Sequence, residues 1–81
     1  MQNTDEPTPT GKSPRRRLGG FIRAQRQMAN LSLRQLSVLT EISHPYLSQI
    51  ERGRYEPSVR VLRSIGEALN VSAETLFEQA A

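Results

Sequence analysis

The sequence of 81 residues contains no cysteine and no tryptophan, and it has only two phenylalanines and two tyrosines. Without thiols the chain offers neither a disulfide framework nor a thiolate metal site, which argues against a small secreted protein. No run approaches the roughly 18 consecutive apolar residues of a membrane span, and the amino terminus lacks the basic-then-apolar order of a signal peptide. These absences predict a cytoplasmic protein with one small hydrophobic core.

The residue types that support catalysis are equally scarce. His44 is the single histidine, and the sequence has no glycine-rich phosphate loop and no paired acidic motif. The adjacent glycines Gly19 and Gly20 follow no predicted strand, so they are not a dinucleotide fingerprint. The sequence therefore predicts no enzymatic activity, no metal site, no cofactor and no small-molecule ligand.

Positive charge is in modest excess. The 11 lysines and arginines exceed the 8 acidic residues, which gives a formal charge of +3. All of these cations except Lys12 are arginine, whose planar guanidinium matches phosphate and the guanine edge. Charge alone leaves two interpretations open, a solvated helical surface and a nucleic-acid-binding surface.

The first 17 residues have a different composition from the rest. Met1 is the only large apolar residue in this segment, which is rich in proline and threonine. Such a segment buries too little surface to offset its ordering entropy, so residues 1–17 are predicted to be a disordered basic tail. The tail ends in Arg15, Arg16 and Arg17, which either form an arm that contacts DNA or belong to a solubilising leader.

From Leu18 onward, apolar residues recur at helical spacing and predict an all-α domain of five short helices over residues 18–81. Serines suited to capping helix N-termini precede four of them: Ser32, Ser43, Ser58 and Ser72. Gln35 stands three residues after Ser32, which completes the S-x-x-Q capping box. Gly53 and Asn70 are suited to ending the third and fourth helices.

Two short helices joined by a tight turn, with a polar face on the second, form a helix-turn-helix arrangement. The residues are more specific than the geometry, above all the run Tyr-Leu-Ser-Gln-Ile-Glu-Arg-Gly at 46–53. Together with residues 31–37, 57–58 and 68–72, this run resembles the phage-repressor and Cro-like (xenobiotic-response-element, XRE) family of bacterial DNA-binding domains. The resemblance covers about residues 18–77 and implies a lambda-repressor-like fold.

The resemblance implies that residues 43–52 form the recognition helix, which lies in the major groove of DNA. The positions that match the family's base-facing residues are His44, Pro45, Ser48 and Gln49. Gln49 can pair bidentately with N6 and N7 of adenine, and His44 can bond to a purine edge.

Contacts to the DNA backbone are also implied by the resemblance. The matching residues lie at the start of the second helix and in or just after the recognition helix: Ser32, Leu33, Gln35, Tyr46, Arg52 and Arg54. Tyr46 has the alternative of a packed ring with a solvated hydroxyl, and Arg52 and Arg54 have the alternative of ordinary solvated cations. Arg26 and Glu51 match an intramolecular ion pair of the family.

The function implied is a sequence-specific transcriptional regulator, more often a repressor, which binds a double-stranded DNA operator as a homodimer in the bacterial cytoplasm, associated with the nucleoid. Leu76 and Phe77 are the candidate dimer contact, with the monomer core as the alternative. A protein-interaction module on the same scaffold, such as an antitoxin or coactivator-like adaptor, is the alternative function. Glu41 departs from the family where many members have glycine, which costs about 1 kcal/mol or more if its backbone is left-handed.

Overall fold

The computed structural model describes residues 13–81, so the predicted disorder of residues 1–12 lies outside the described part of the chain. Residues 13–81 form five helices and no strand, which confirms the predicted all-α fold. The helices are α1 (Pro14–Met28), α2 (Leu33–Thr40), α3 (His44–Glu51), α4 (Val59–Leu69) and α5 (Ala73–Ala80).

The start of α1 corrects the sequence-based boundary. The helix begins at Pro14 rather than at Leu18, so Arg15, Arg16 and Arg17 form its first turn instead of the end of a disordered tail. Ser13 caps the helix because its Oγ accepts a hydrogen bond from the amide of Arg16 at 3.2 Å. Pro14 occupies the first helical position, where a missing N–H costs nothing and the fixed φ favours the helix.

The four predicted serine caps of α2 to α5 are confirmed. Ser32, Ser43, Ser58 and Ser72 each accept a hydrogen bond from the amide three residues later, at 3.0 to 3.3 Å. Because each cap satisfies an orphan amide locally, these helix starts depend little on tertiary packing.

The core is built from one apolar face of each helix. Its buried members are Leu18, Ile22, Leu36, Leu47, Ile50, Leu62, Ile65, Leu69 and Leu76. Through them α1 packs against α3 and α5, and α2 packs against α3 and α4. Helix α3 is therefore packed against both α1 and α2. No helix within residues 13–81 is long and apolar enough to cross a membrane.

Hydroxyl groups hold the tight turn between α2 and α3. Ser37 Oγ donates to the carbonyl of Ile42 at 2.6 Å, and Ser64 Oγ on α4 donates to the carbonyl of Thr40 at 3.2 Å. Between these contacts the backbone of Glu41 takes the left-handed conformation, with φ 61° and ψ 28°. Glu41 is therefore a residue with a Cβ in the left-handed region, and its backbone is strained in this turn.

Replacing Glu41 by glycine should raise the free energy of unfolding by about 0.5 to 1 kcal/mol. Glycine removes the clash of Cβ in the left-handed region, although its greater freedom in the unfolded chain offsets part of the gain. Urea denaturation followed by circular dichroism measures the change. Glu41→Ala is the matched control, since it removes the carboxylate and keeps Cβ. An equal gain in the control would show that charge, rather than backbone strain, is responsible.

Candidate nucleic-acid interface

Helix α3 has one buried face and one open face. Leu47 and Ile50 are wholly buried in the core. On the opposite face, the structure brings together the four residues expected to face bases: His44 and Pro45, which are exposed, and Ser48 and Gln49, which are half-buried. Residues four apart share a helix face, so these side chains form one strip, polar except for Pro45, that starts at the capped end of the helix.

The start of α2 offers fewer backbone donors than the sequence suggests. Gln35 Oε1 accepts the amide of Ser32 at 2.8 Å, while Ser32 Oγ accepts the amide of Gln35, so the capping box is complete. In the free protein the Ser32 amide therefore donates to Gln35, and the contact of Ser32 with phosphate stays a prediction. The amide of Leu33, at the first helical position, has no partner within the helix, and the side-chain NH2 of Gln35 remains a donor.

Helices α1 and α2 both contribute to the surface beside α3. Ser48 of α3, Leu33 at the start of α2 and Arg23 of α1 line a single depression of about 210 Å³. The strip on α3 and the first turn of α2 therefore open onto the same side of the molecule. Arg23 is exposed on this side, and nothing in the sequence pattern indicates a role for it.

A buried ion pair lies beneath this surface. Glu51 accepts two hydrogen bonds from Arg26, at 2.7 Å from Nε and 2.9 Å from Nη2, and the side chains are only 11% and 6% exposed. Arg26 also donates to the carbonyl of Leu31 at 2.9 Å. These hydrogen bonds to Glu51 raise the pKa of Arg26 above its ordinary value. The bidentate pair fixes the end of α3 to α1, in the arrangement that the family resemblance implies.

Tyr46 packs its ring against another aromatic residue. It is half-buried against the core, and its ring centroid lies 5.9 Å from that of Tyr55, with the two planes at 59°. This tilted geometry is a favourable one for aromatic pairs. Tyr55 is 54% exposed and lies in the loop after α3, where spacing alone gave no sign of the pairing.

The chain turns sharply after α3. Gly53 has φ 75°, and its amide donates to the carbonyl of Ile50 at 3.0 Å, while the amide of Arg54 donates to Gln49 at 2.9 Å. Glycine is needed here because the conformation is left-handed and because the backbone of Arg16 lies against it. The turn leaves Arg52 and Arg54 exposed on either side of Gly53.

The two candidate dimer residues on α5 have different environments. Leu76 is 0% exposed and belongs to the core, so it is not available for a contact between protomers. The proposal for Leu76 is corrected because the stripe of apolar residues on α5 is largely used in covering the core. Phe77 is 39% exposed and remains accessible.

Comparisons with known proteins agree with this geometry. The helix-turn-helix family profile matches residues 22–76. An uncharacterised HTH-type transcriptional regulator of Mycobacterium tuberculosis is 53% identical over 62 residues, which cover 76% of this chain and 44% of that protein. The immunity repressor protein of Bacillus phage phi105 is 34% identical over 59 residues, which cover 73% of this chain and 41% of the repressor.

A solved structure shows the same arrangement of helices. The crystal structure of the clp gene regulator ClgR from Corynebacterium glutamicum has a TM-score of 0.78 to this chain at 35% identity, and the match covers 85% of this chain and 73% of ClgR. The chain spans less than half the length of the two sequence relatives. The family profile covers more than half of this chain, which belongs to the helix-turn-helix family.

Proposed function

We propose that the domain reads a double-stranded DNA operator by placing α3 in the major groove. The observation that carries the proposal is the polar strip on α3, which lies opposite the buried Leu47 and Ile50 and adjoins the first turn of α2. The major groove of B-DNA is wide enough for one α-helix and presents a distinct pattern of donors and acceptors for each base pair. His44, Pro45, Ser48 and Gln49 are the residues that face the bases.

Groups on either side of the strip position the helix on the sugar-phosphate backbone. The amide of Leu33 and the side-chain NH2 of Gln35 donate to phosphate at the start of α2. Arg52 and Arg54 supply positive charge after α3, and the hydroxyl of Tyr46 adds a further donor. These contacts set the register of the protein on the duplex and carry no base information themselves.

The domain acts by occupying its site as a homodimer rather than by catalysis or with a cofactor. The similarity to a phage immunity repressor supports repression as the mode of regulation. Two protomers would read half-sites about 34 to 36 Å apart, which is one turn of the duplex. Phe77 is the contact that we assign to the dimer. The site of action is the bacterial nucleoid in the cytoplasm.

Gln49→Ala should weaken binding to the operator by about 1 to 3 kcal/mol and relax the preference at one base pair, because Gln49 reads a base edge. Arg54→Ala should instead weaken binding to all sequences alike and lower the salt dependence by about one counterion, because a phosphate contact releases counterions. Fluorescence anisotropy at several salt concentrations, with operator and scrambled duplexes, measures both effects. The operator is first obtained by in vitro selection from a random pool.

The two variants serve as controls for each other, since both shorten an accessible side chain near α3. Identical losses on operator and scrambled DNA for both would contradict the separate roles. Wild-type affinity that is equal for every sequence and independent of salt would contradict operator binding itself.

A protein partner is the second candidate function, and exposed apolar side chains favour it. Val38 and Leu39 on α2 are 73% and 58% exposed, and Met28 at the end of α1 is 75% exposed. An adaptor or antitoxin on this scaffold would use such a surface. The same DNA titration separates the candidates, because an adaptor would show no dependence on DNA sequence.

A further inference from the structure

The three consecutive arginines at the start of α1 point to three different surroundings. Arg15 Nε lies 3.9 Å from a carboxylate oxygen of Glu56, and Arg17 donates to the carbonyl of Ala81. Arg16 instead lies against Gly53, where its Cγ is 2.6 Å from the position that a Cβ on Gly53 would occupy. Because successive residues of a helix project about 100° apart, a run that looks uniform in sequence is divided among separate surfaces.

Arg16 shares its surface with Arg23 of α1 and Arg52 after α3. Arg16 and Arg23 are seven residues apart, so they lie on one helix face about two turns from each other. The three arginines, with Gly20 between the first two, line a groove of about 340 Å³ that adjoins the depression beside Ser48. We call this feature, defined by Arg16, Arg23 and Arg52, the arginine groove.

The positive charge of the arginine groove is not neutralised within the described chain. Glu51 also lines the groove, but its two oxygens accept hydrogen bonds from Arg26 and its side chain is only 6% exposed. No residue within 13–81 forms an ion pair or a side-chain hydrogen bond with the guanidinium group of Arg16, Arg23 or Arg52. Three exposed guanidinium groups therefore surround an open groove.

We propose that the arginine groove binds phosphate of the DNA backbone, in addition to the donors at the start of α2. The inference rests on the proposed function, because it requires α3 to lie in the major groove beside it. Guanidinium groups bind phosphate bidentately and remain charged at every physiological pH. The groove is open at Gly20, since no neighbouring atom lies within 4 Å of the position that its Cβ would occupy.

The first test removes the groove arginines one at a time. Arg16→Ala and Arg23→Ala should each weaken binding about threefold to tenfold on operator and scrambled duplexes alike, and each should lower the salt slope by about one. Arg15→Ala is the matched control, because it removes the same charge from the same helix turn but from outside the groove. The control should change affinity less than twofold. Anisotropy titration of the full chain at several salt concentrations gives both quantities.

The second test adds a charge to the groove without removing an arginine. Gly20→Glu places a carboxylate three residues before Arg23 and four after Arg16, within reach of both side chains. Affinity should fall at least tenfold relative to Gly20→Gln, which has the same shape without the charge. Both variants should remain folded by circular dichroism, because Gly20 faces open space and other residues favour the helix over glycine.

The outcomes separate this inference from the proposed function. If wild-type protein prefers its operator but the arginine variants behave like Arg15→Ala, or the two Gly20 variants bind equally, the groove does not bind phosphate and operator reading stands. If wild-type protein shows no sequence preference and no salt dependence, the proposed function fails first.

Discussion

Replacing Arg26 by alanine should lower the free energy of unfolding by about 3 to 5 kcal/mol, because it leaves the carboxylate of Glu51 buried without its partner. The carbonyl of Leu31 loses a hydrogen bond in the same variant. Small domains have total stabilities of only about 5 to 15 kcal/mol, so the variant should lose a large share of its stability. Urea denaturation of wild type and variant measures the difference.

Two further variants distinguish the ion pair from simple loss of packing. Arg26→Lys retains the charge but cannot form the bidentate pair, so its stability should lie between those of wild type and Arg26→Ala. The double variant Arg26→Met and Glu51→Leu should be more stable than Arg26→Met alone, since removing both charges leaves none stranded. Additive effects of the two substitutions would contradict a direct interaction between the residues.

Gly19→Ala and Gly20→Ala should change stability in opposite directions, although the two glycines are adjacent on α1. A Cβ on Gly19 would lie 2.4 Å from the carbonyl oxygen of Ile50 and 2.6 Å from that of Glu51, so the helices must separate. We expect a loss of about 1 to 3 kcal/mol for Gly19→Ala. Gly20 faces open space, and alanine there should add about 0.8 to 1 kcal/mol through helix propensity.

The midpoint of urea denaturation gives both values under the same conditions. Each variant is the other's control, because the substitution and the helix are the same and only the surroundings differ. Equal shifts of the midpoint in the two variants would show that α1 does not approach the end of α3 as closely as the structure describes.

The features predictable from sequence are those set by local chemistry. The serine caps and the left-handed residue Asn70 depend on a few neighbouring atoms, and the structure has them where the sequence indicates. The start of α1 is also a local feature, with Ser13 as cap and Pro14 at the first position, but it lies inside a segment whose proline-rich composition indicates disorder. The composition of that segment as a whole therefore concealed the helix start that Ser13 and Pro14 indicate.

The remaining features depend on how helices meet, which no local pattern determines. Apolar spacing on α5 does not distinguish the buried Leu76 from the accessible Phe77, because both follow the same helical period. The arginine groove likewise requires α1 to approach the end of α3, so that Arg16 and Arg23 come beside Arg52. A helical projection that starts at Pro14 would have placed Arg16 and Arg23 on one face, but not Arg52.

The close contact of Gly19 with the end of α3 also has a consequence for the choice of DNA. A Cβ on Gly19 would meet the carbonyl oxygens of Ile50 and Glu51, and the Arg26–Glu51 pair also joins α1 to the end of α3, so the two helices are held together at two places. These contacts set the spacing between the arginine groove and the strip on α3. In the binding mode that we propose, a duplex must bring a phosphate and a base edge to that spacing at once, and sequences differ in the energy needed to do so. Base pairs that no side chain touches would thereby contribute to operator preference.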